Sequence, residues 1–205
     1  MNKLASIYFL QKLGLPTIDP NLITETKEKK IRAQVDSFYF NYKPGWVLRC
    51  GEFPDENAPS ERVSLPWAVV NNKEDLVSKI IEFQKDIKGN YLVFAHHVKE
   101  MIRGGTMLSE GSRIIVEAGI GDPKELSSMF RGYRSPEQIA IFKPTMISYE
   151  NHGKNVLTKE DFYDMRNIQR GLNWKEISGV TNPVAVEFSR INDGSLYVHD
   201  LKIVS

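Results

Sequence analysis

Apolar and polar residues alternate in two runs near the end of the sequence, residues 184–190 and 196–203. Successive side chains of a strand point to opposite faces, so alternation over this length predicts two strands. The turn residues between them include Asp193-Gly194, and an Asp-Gly pair between alternating segments is a strong signal for a hairpin. If this pair is the whole loop, Asn192 lies opposite Ser195.

The same register places two acidic residues on one face of the hairpin. Counting back from the loop brings Glu187 opposite Asp200, and Lys202 shares their face. Facing carboxylates repel unless a proton, a cation or a basic side chain lies between them. Two interpretations are therefore open: a solvated face that Lys202 neutralises, or a divalent-cation site of the kind that Mg²⁺ occupies.

Periodicity elsewhere predicts a mixture of helices and short strands. Helical spacing of apolar residues predicts helices over residues 3–13, 25–35, 71–88, 123–130 and 158–171, and a further helical piece that ends near residue 179. Thr158 is the expected N-cap of the helix over 158–171, with Glu160 and Asp161 in its first turn. Short apolar runs predict strands over residues 45–50, 91–98, 107–108, 112–118, 139–143 and 145–149. Glycine-containing segments predict turns at residues 104–105, 119–122 and 151–155. The order of elements predicts an α+β fold with an N-terminal lobe, residues 1–90, and a C-terminal lobe, residues 91–205, that act as one functional unit.

Composition excludes several classes of protein. Apolar residues make up 41% and charged residues 26% of the 205 positions, which are ordinary globular values. The net charge of +1 provides no strong basic field, so we expect no nucleic-acid partner. No long apolar segment predicts contact with a membrane, and the single cysteine fits a reducing compartment. We therefore expect a cytoplasmic protein.

Two features are candidates for binding an anion. Arg49 lies within an apolar predicted strand, where its charge requires an anionic partner such as a carboxylate or a phosphate. Gly119 and Gly121 precede a predicted helix, whose N-terminus attracts anions. The same glycines also suit a tight turn, so this second interpretation stays open.

Histidine and cysteine give weaker signals. His96 and His97 are neighbours on a predicted strand and point to opposite faces, so they cannot form a two-histidine metal site by themselves. Cys50 has neither a helix N-terminus nor a placed histidine beside it, and we interpret it as a buried thiol.

Several stretches, in order along the chain, resemble the ATP-grasp nucleotide-binding domain of phosphoenolpyruvate synthase and pyruvate phosphate dikinase. Lys3 followed by Gly-Leu-Pro at 14–16 is similar to the family's opening, and WVLRC at 46–50 resembles its AVRSS strand. Further similarities are residues 93–98 to VVVQ-M, 104–106 to an SG turn, 115–122 to IEASYGLGE, 183–188 to PQDIEW and 196–202 to LYILQTR.

The resemblance implies an ATP-grasp-like fold of two lobes with a nucleotide cleft between them. It also implies Mg²⁺-dependent phosphoryl transfer from ATP to an unidentified acceptor, either a separate protein or a small molecule. The roles it implies are as follows: Lys3, Arg49 and Lys202 as cations near the phosphates, His96 and Glu117 at the adenine or ribose end, Gly119 and Gly121 in the glycine-containing turn, and Glu187 and Asp200 as Mg²⁺ ligands.

The chain also departs from that family. Ser-Leu-Pro-Trp-Ala at 64–68 replaces the glycine-rich lid whose backbone amides would cover the phosphates. Asp200 stands in place of a glutamine and Lys202 in place of an arginine. These differences favour an alternative, a catalytically inactive protein of the same fold that binds a nucleotide or docks a partner. A structural subunit that has lost the nucleotide site is a third interpretation.

Overall fold

The structure is a computed structural model that describes ten stretches of the chain: residues 3–38, 45–52, 65–86, 91–97, 100–110, 112–121, 123–130, 132–145, 149–172 and 183–204. The helices are α1 (Lys3–Lys12), α2 (Glu28–Ser37), α3 (Lys73–Asp86), α4 (Pro123–Phe130) and α5 (Lys159–Gly171). The first strands are β1 (Asn21–Ile23), β2 (Trp46–Glu52), β3 (Trp67–Val70), β4 (Tyr91–His97) and β5 (Met101–Glu110). The remaining strands are β6 (Arg113–Ile120), β7 (Gln138–Phe142), β8 (Tyr149–Gly153), β9 (Val184–Ile191) and β10 (Leu196–Ile203).

The chain divides into two compact units, each with an antiparallel sheet. The first unit comprises Met1–Tyr8 and Ile18–Lys99, and its sheet has the order β1-β4-β2-β3. The second comprises Phe9–Thr17 and Glu100–Ser205, with the order β10-β9-β5-β6-β7-β8. The predicted boundary at residue 90 falls just before β4, which pairs with β1 and β2 in the first sheet.

The two faces of the first sheet carry different side chains. One face contributes Trp46, Leu48 and Cys50 to a core that α2 and α3 complete with Ile31, Val35, Leu76, Val77, Ile80 and Phe83. The regular apolar spacing that predicted residues 71–88 as a helix is the side of α3 that is buried here. On the opposite face, a Cβ at Gly51 would lie 2.7 Å from the Cβ of Leu4, so the absence of a side chain lets α1 approach β2.

The second unit has its own core on one side of the larger sheet. Buried residues of the central strands, among them Met107, Val116 and Val186, pack with Phe162, Met165 and Ile168 of α5. Thr158 caps α5, because its hydroxyl accepts from the Asp161 backbone N–H while the Asp161 carboxylate accepts from the Thr158 backbone N–H. This confirms the predicted start of the helix.

Two predicted turns are wrong. Gly104 and Gly105 lie inside β5, paired with Gly119 and Ala118 of β6. Gly105 is required by close approach rather than by a turn, because a Cβ there would collide with the Glu117 carbonyl. Residues 149–153 form β8, where a turn over residues 151–155 was predicted. The described residues stop at 172 before resuming at 183, so a helical piece expected near residue 179 lies outside them.

Candidate functional site

The predicted hairpin at the end of the sequence exists, but its loop is one residue longer than predicted. The Ile191 N–H donates to the Ser195 carbonyl at 3.0 Å, and the Gly194 N–H donates to the Ile191 carbonyl at 3.0 Å. Gly194 has a φ of 87°. This is a turn closed by a glycine in the left-handed region, a common alternative to the two-residue loop. The prediction that Asn192 faces Ser195 is therefore wrong.

The facing carboxylates are nevertheless confirmed, because a second irregularity cancels the first. Val198 pairs with Phe188, the register then shifts, and Asp200 pairs with Glu187. His199 is the extra residue of this bulge, which returns the strand to the register expected from the shorter loop. A one-residue slip exchanges the two faces of a strand, so two opposite slips leave Asp200 where the sequence predicted it.

Lys202 neutralises one of these carboxylates. Its Nζ donates to Glu187 Oε1 at 2.7 Å, with the Lys202 side chain 52% and the Glu187 side chain 17% exposed. This contact is the first of the two interpretations given above. An ion pair this open to solvent contributes at most about 1 kcal/mol to stability, so either side chain can exchange its partner for another. Within the described stretches there is no group of three or more His, Cys, Asp or Glu residues that could hold a metal ion. The role of Glu187 and Asp200 as Mg²⁺ ligands stays a prediction.

Three predicted site residues fall in one row across the larger sheet. Asp200 pairs with Glu187, Glu187 with Thr106, and Thr106 with Glu117. Directly opposite residues share a face, and neighbouring strands lie about 4.8 Å apart. The next residues along three of these strands, Met107, Val116 and Val186, are buried in the core, so the row lies on the opposite face. Sequence reasoning missed Thr106, because only the long-range pairing of β5 with β9 places it between two carboxylates.

The two candidate glycines contact helix α4. Gly119 lies in β6, and a Cβ there would lie 3.0 Å from the Met129 sulfur. Gly121 has a φ of 154°, and a Cβ there would collide with the carboxylate of Glu125. The turn predicted over residues 119–122 begins later than expected, since the strand continues to Ile120. A role for either glycine in binding an anion stays a prediction.

Substitution of Gly119 by alanine separates packing from ligand binding. We expect Gly119→Ala to lower the free energy of unfolding by about 1 kcal/mol, because the flexible Met129 side chain can move aside. Urea denaturation measures this change. A loss above about 3 kcal/mol would contradict the packing account. A fall in ATP affinity with little loss of stability would instead support an anion-binding role.

Two predicted cations of the first unit affect the ionisation of a third predicted site residue, His96. His96 is 9% exposed, and its Nδ1 lies 3.0 Å from the His97 carbonyl oxygen, to which it donates. Burial, followed by the positive charges of Arg49 and Lys3, lowers the pKa of His96 to about 3. The imidazole is therefore neutral at neutral pH, with Nε2 as an acceptor. The charges of Arg49 and Lys3 thus help to keep His96 a neutral acceptor.

Cys50 is buried as predicted, with 4% of its surface exposed. Burial raises the pKa of the thiol to about 12, so it is protonated at neutral pH. The side chain belongs to the core on the α2–α3 side of the sheet. A structural role is what this environment supports.

A buried ion network lies beside the hairpin and was missed by sequence reasoning. Asp161 is fully buried and accepts from Arg103 Nε at 2.8 Å and from Arg190 Nε at 2.9 Å. Arg190 also donates to Asp164 at 2.6 Å and to the Gly194 carbonyl at 2.7 Å. These bonds fix α5 to β5, to β9 and to the hairpin turn. The capping pattern predicted Asp161 in the first turn of a helix, but its arginine partners are distant in sequence.

The network also affects ionisation. Burial alone would raise the pKa of Asp161, but hydrogen bonds from the Thr158 backbone, Arg190 and Arg103 outweigh it and hold the pKa below its usual value. A depression of about 570 Å³ lies next to the network and is lined by Lys159, Glu160, Tyr163, Asp164, Arg190 and Gly194. None of the predicted site residues lines it.

No helix in the described part of the chain is long and apolar enough to cross a membrane.

Comparison with known proteins identifies the fold. No family model matches the chain, and no curated protein matches it significantly. Among solved structures, D-alanine–D-alanine ligase from Helicobacter pylori is similar with a TM-score of 0.58 and 15% identity, over 98% of this chain and 54% of that one. D-alanyl-alanine synthetase A from Vibrio cholerae O1 biovar eltor str. N16961 gives a TM-score of 0.57 and 12% identity, over 98% and 54%.

A third similar structure was solved with a nucleotide. Carboxyaminoimidazole ribonucleotide synthase from Aspergillus clavatus, complexed with ATP, gives a TM-score of 0.53 and 9% identity, over 97% of this chain and 44% of that one. The chain thus spans about half the length of the solved structures it matches. Identity at this level shows the fold alone. The chain has an α+β, ATP-grasp-like fold.

Proposed function

We propose that this chain binds ATP with Mg²⁺ and takes part in phosphoryl transfer from ATP to an acceptor. The observation that carries the proposal is the pairing of Glu187 with Asp200 on a sheet of ATP-grasp-like fold. Similar structures are named as ligases and synthetases, and one is complexed with ATP, which favours ATP-dependent ligation as the class of reaction. The more specific likeness to phosphoenolpyruvate synthase rests on sequence stretches alone.

The second unit offers oxygen ligands of the kind that Mg²⁺ prefers. Glu187 and Asp200 would hold the ion, and Thr106 adds a hydroxyl beside Glu187 in the same row. When bound, the ion supplies positive charge that offsets the charge of the phosphates. Lys202 would then leave Glu187 and donate to a phosphate oxygen, which its exposure and length permit. Glu117 lies on the far side of Thr106 and would accept from a ligand hydroxyl or amino group.

The first unit offers positive charge and a neutral acceptor. Arg49 and Lys3 would neutralise phosphate charge, because positioning and electrostatic stabilisation provide most of the catalysis in phosphoryl transfer. His96 keeps its imidazole neutral and its Nε2 able to accept, which suits an exocyclic amino group. The two sets of residues can be tested separately, one unit at a time.

Titration calorimetry with a non-hydrolysable ATP analogue and Mg²⁺ tests the proposal. We expect binding to the wild-type protein, and a loss of at least about tenfold in affinity for Glu187→Gln, since a neutral amide is a poor Mg²⁺ ligand. Glu150→Gln is the matched control, because Glu150 is an exposed glutamate in β8 of the same sheet.

The outcomes distinguish the interpretations. If the wild-type protein gives no heat of binding and no thermal shift with the analogue and Mg²⁺, the proposal is contradicted. Equal losses for the Glu187 and Glu150 variants would remove Glu187 from the site. Binding without release of ADP, across candidate carboxylate and protein acceptors, would favour the catalytically inactive alternative.

A further inference from the structure

An exposed tryptophan lies beside Arg49, the predicted phosphate-binding arginine of the first unit. In the antiparallel pairing of β2 with β3, Trp67 is opposite Arg49, and Val69 is opposite Val47. Directly opposite residues share a face of the sheet, so the indole and the guanidinium are neighbours. The guanidinium carbon lies 6.0 Å from the centre of the indole ring, while Trp67 remains 55% exposed.

In this contact the guanidinium carbon of Arg49 lies over the ring of Trp67. A cation within about 6 Å of an aromatic centroid is attracted by the ring, with tryptophan the strongest partner. Arginine binds phosphate through two of its five N–H groups, so a contact of the guanidinium carbon with a ring leaves N–H groups for a phosphate. An aromatic neighbour can therefore restrict the side chain without competing with a ligand.

Arg49 shares its face of the first sheet with His96. His96 lies two pairs along from Arg49, opposite Val47, and the positive charge of Arg49 adds to the effect of burial in lowering the pKa of His96. A long side chain that must be held in one conformation loses rotamer freedom on binding, and that loss weakens affinity. A contact that restricts it beforehand reduces the loss.

We propose that Trp67 is a positioning residue for phosphate recognition, holding the Arg49 guanidinium in its binding conformation. The inference rests on the proposed function, since it requires that ATP binds. It assigns a role to Trp67, one residue of the sequence stretch that stands in place of a glycine-rich lid. The indole acts through Arg49 and not as a platform for the nucleobase.

A double-mutant cycle tests this role by calorimetry with an ATP analogue. We expect Trp67→Leu to weaken binding about two- to fivefold and Trp67→Phe to weaken it less, because phenylalanine keeps a ring. In an Arg49→Lys background, which keeps the charge but removes the planar group, Trp67→Leu should have no further effect. Val69→Ala is the matched control on the same strand and face, and should leave affinity unchanged.

Each result decides one of the claims. If the wild-type protein binds ATP and Trp67→Leu binds it equally well, the inference is wrong and the proposed function stands. The same loss in both Arg49 backgrounds would show that the indole contacts the nucleotide directly, which also overturns the inference. If Arg49→Lys abolishes ATP binding, the affinity for adenosine is measured instead. If Trp67 positions Arg49, Trp67→Leu leaves the affinity for adenosine unchanged. If Trp67 stacks on the nucleobase, Trp67→Leu lowers that affinity. Failure of the wild-type protein to bind ATP removes the proposed function itself.

Discussion

Replacing Asp161 with asparagine lowers the free energy of unfolding by about 3 kcal/mol. The side chain is fully buried and accepts from both Arg103 and Arg190, of which Arg190 is itself only 7% exposed. Removing one partner of a buried ion pair leaves the other charge buried without compensation. The free energy lost in this way is larger than the net stabilisation that the intact pair provides. Equilibrium denaturation in urea, followed by circular dichroism, measures the loss.

Asp164→Asn is the matched control. Asp164 accepts from the same arginine at 2.6 Å but is 34% exposed, so water can replace it and we expect a loss of about 1 kcal/mol or less. Equal losses for the two variants would contradict the account, because burial is what separates them. The two sites share Arg190, so the double variant should not be additive.

The lowered pKa of Asp161 adds a pH signature to this prediction. A carboxyl whose pKa is lower in the folded protein contributes stability above its unfolded value, about 3.9, and loses it as the pH falls through the folded value. Wild-type stability should therefore fall below about pH 4. Asp161→Asn, which lacks this titration, should fall less steeply over the same range.

Gly105→Ala is the second substitution with a large expected effect. The new Cβ would collide with the Glu117 carbonyl, so β5 and β6 would have to separate in the centre of the larger sheet. We expect a loss of about 3 kcal/mol or more, since overpacking against backbone cannot be relieved by moving a side chain. Denaturation of Gly105→Ala beside Gly119→Ala measures the difference. Similar small losses for both would show that the strands tolerate the added methyl group.

Local patterns were sufficient to predict most of the elements. The apolar periodicity of α3 and the capping residue of α5 depend on neighbours within a few positions, and the structure confirms both helices. Glycine was the main source of error. Gly104 and Gly105 look like a turn in the sequence, but whether a glycine bends the chain or admits a neighbouring strand depends on long-range pairing.

The candidate site also contains residues that local patterns predict and residues that depend on long-range pairing. Glu187 and Asp200 were placed opposite each other from a short turn and strict alternation, and their pairing is confirmed. Thr106 and the ion network of Asp161 join segments far apart in the sequence, so no local signal could have revealed them. Trp67 belongs with these, because its exposure and its contact with Arg49 depend on the pairing of β2 with β3.

The hairpin of β9 and β10 has a consequence for sequence alignment. Its longer loop and the extra residue His199 displace the pairing in opposite senses, so Glu187 and Asp200 stay as far apart in sequence as in a hairpin with a two-residue loop and no bulge. A relative with that simpler hairpin could carry the same carboxylate pair and align with this chain without a gap. Its residues at positions 195–198 would nevertheless face the other side of the sheet, because their pairing differs by one residue. Polar residues of a relative at the positions of the buried Leu196 and Val198 would therefore not mean that the carboxylate pair is lost.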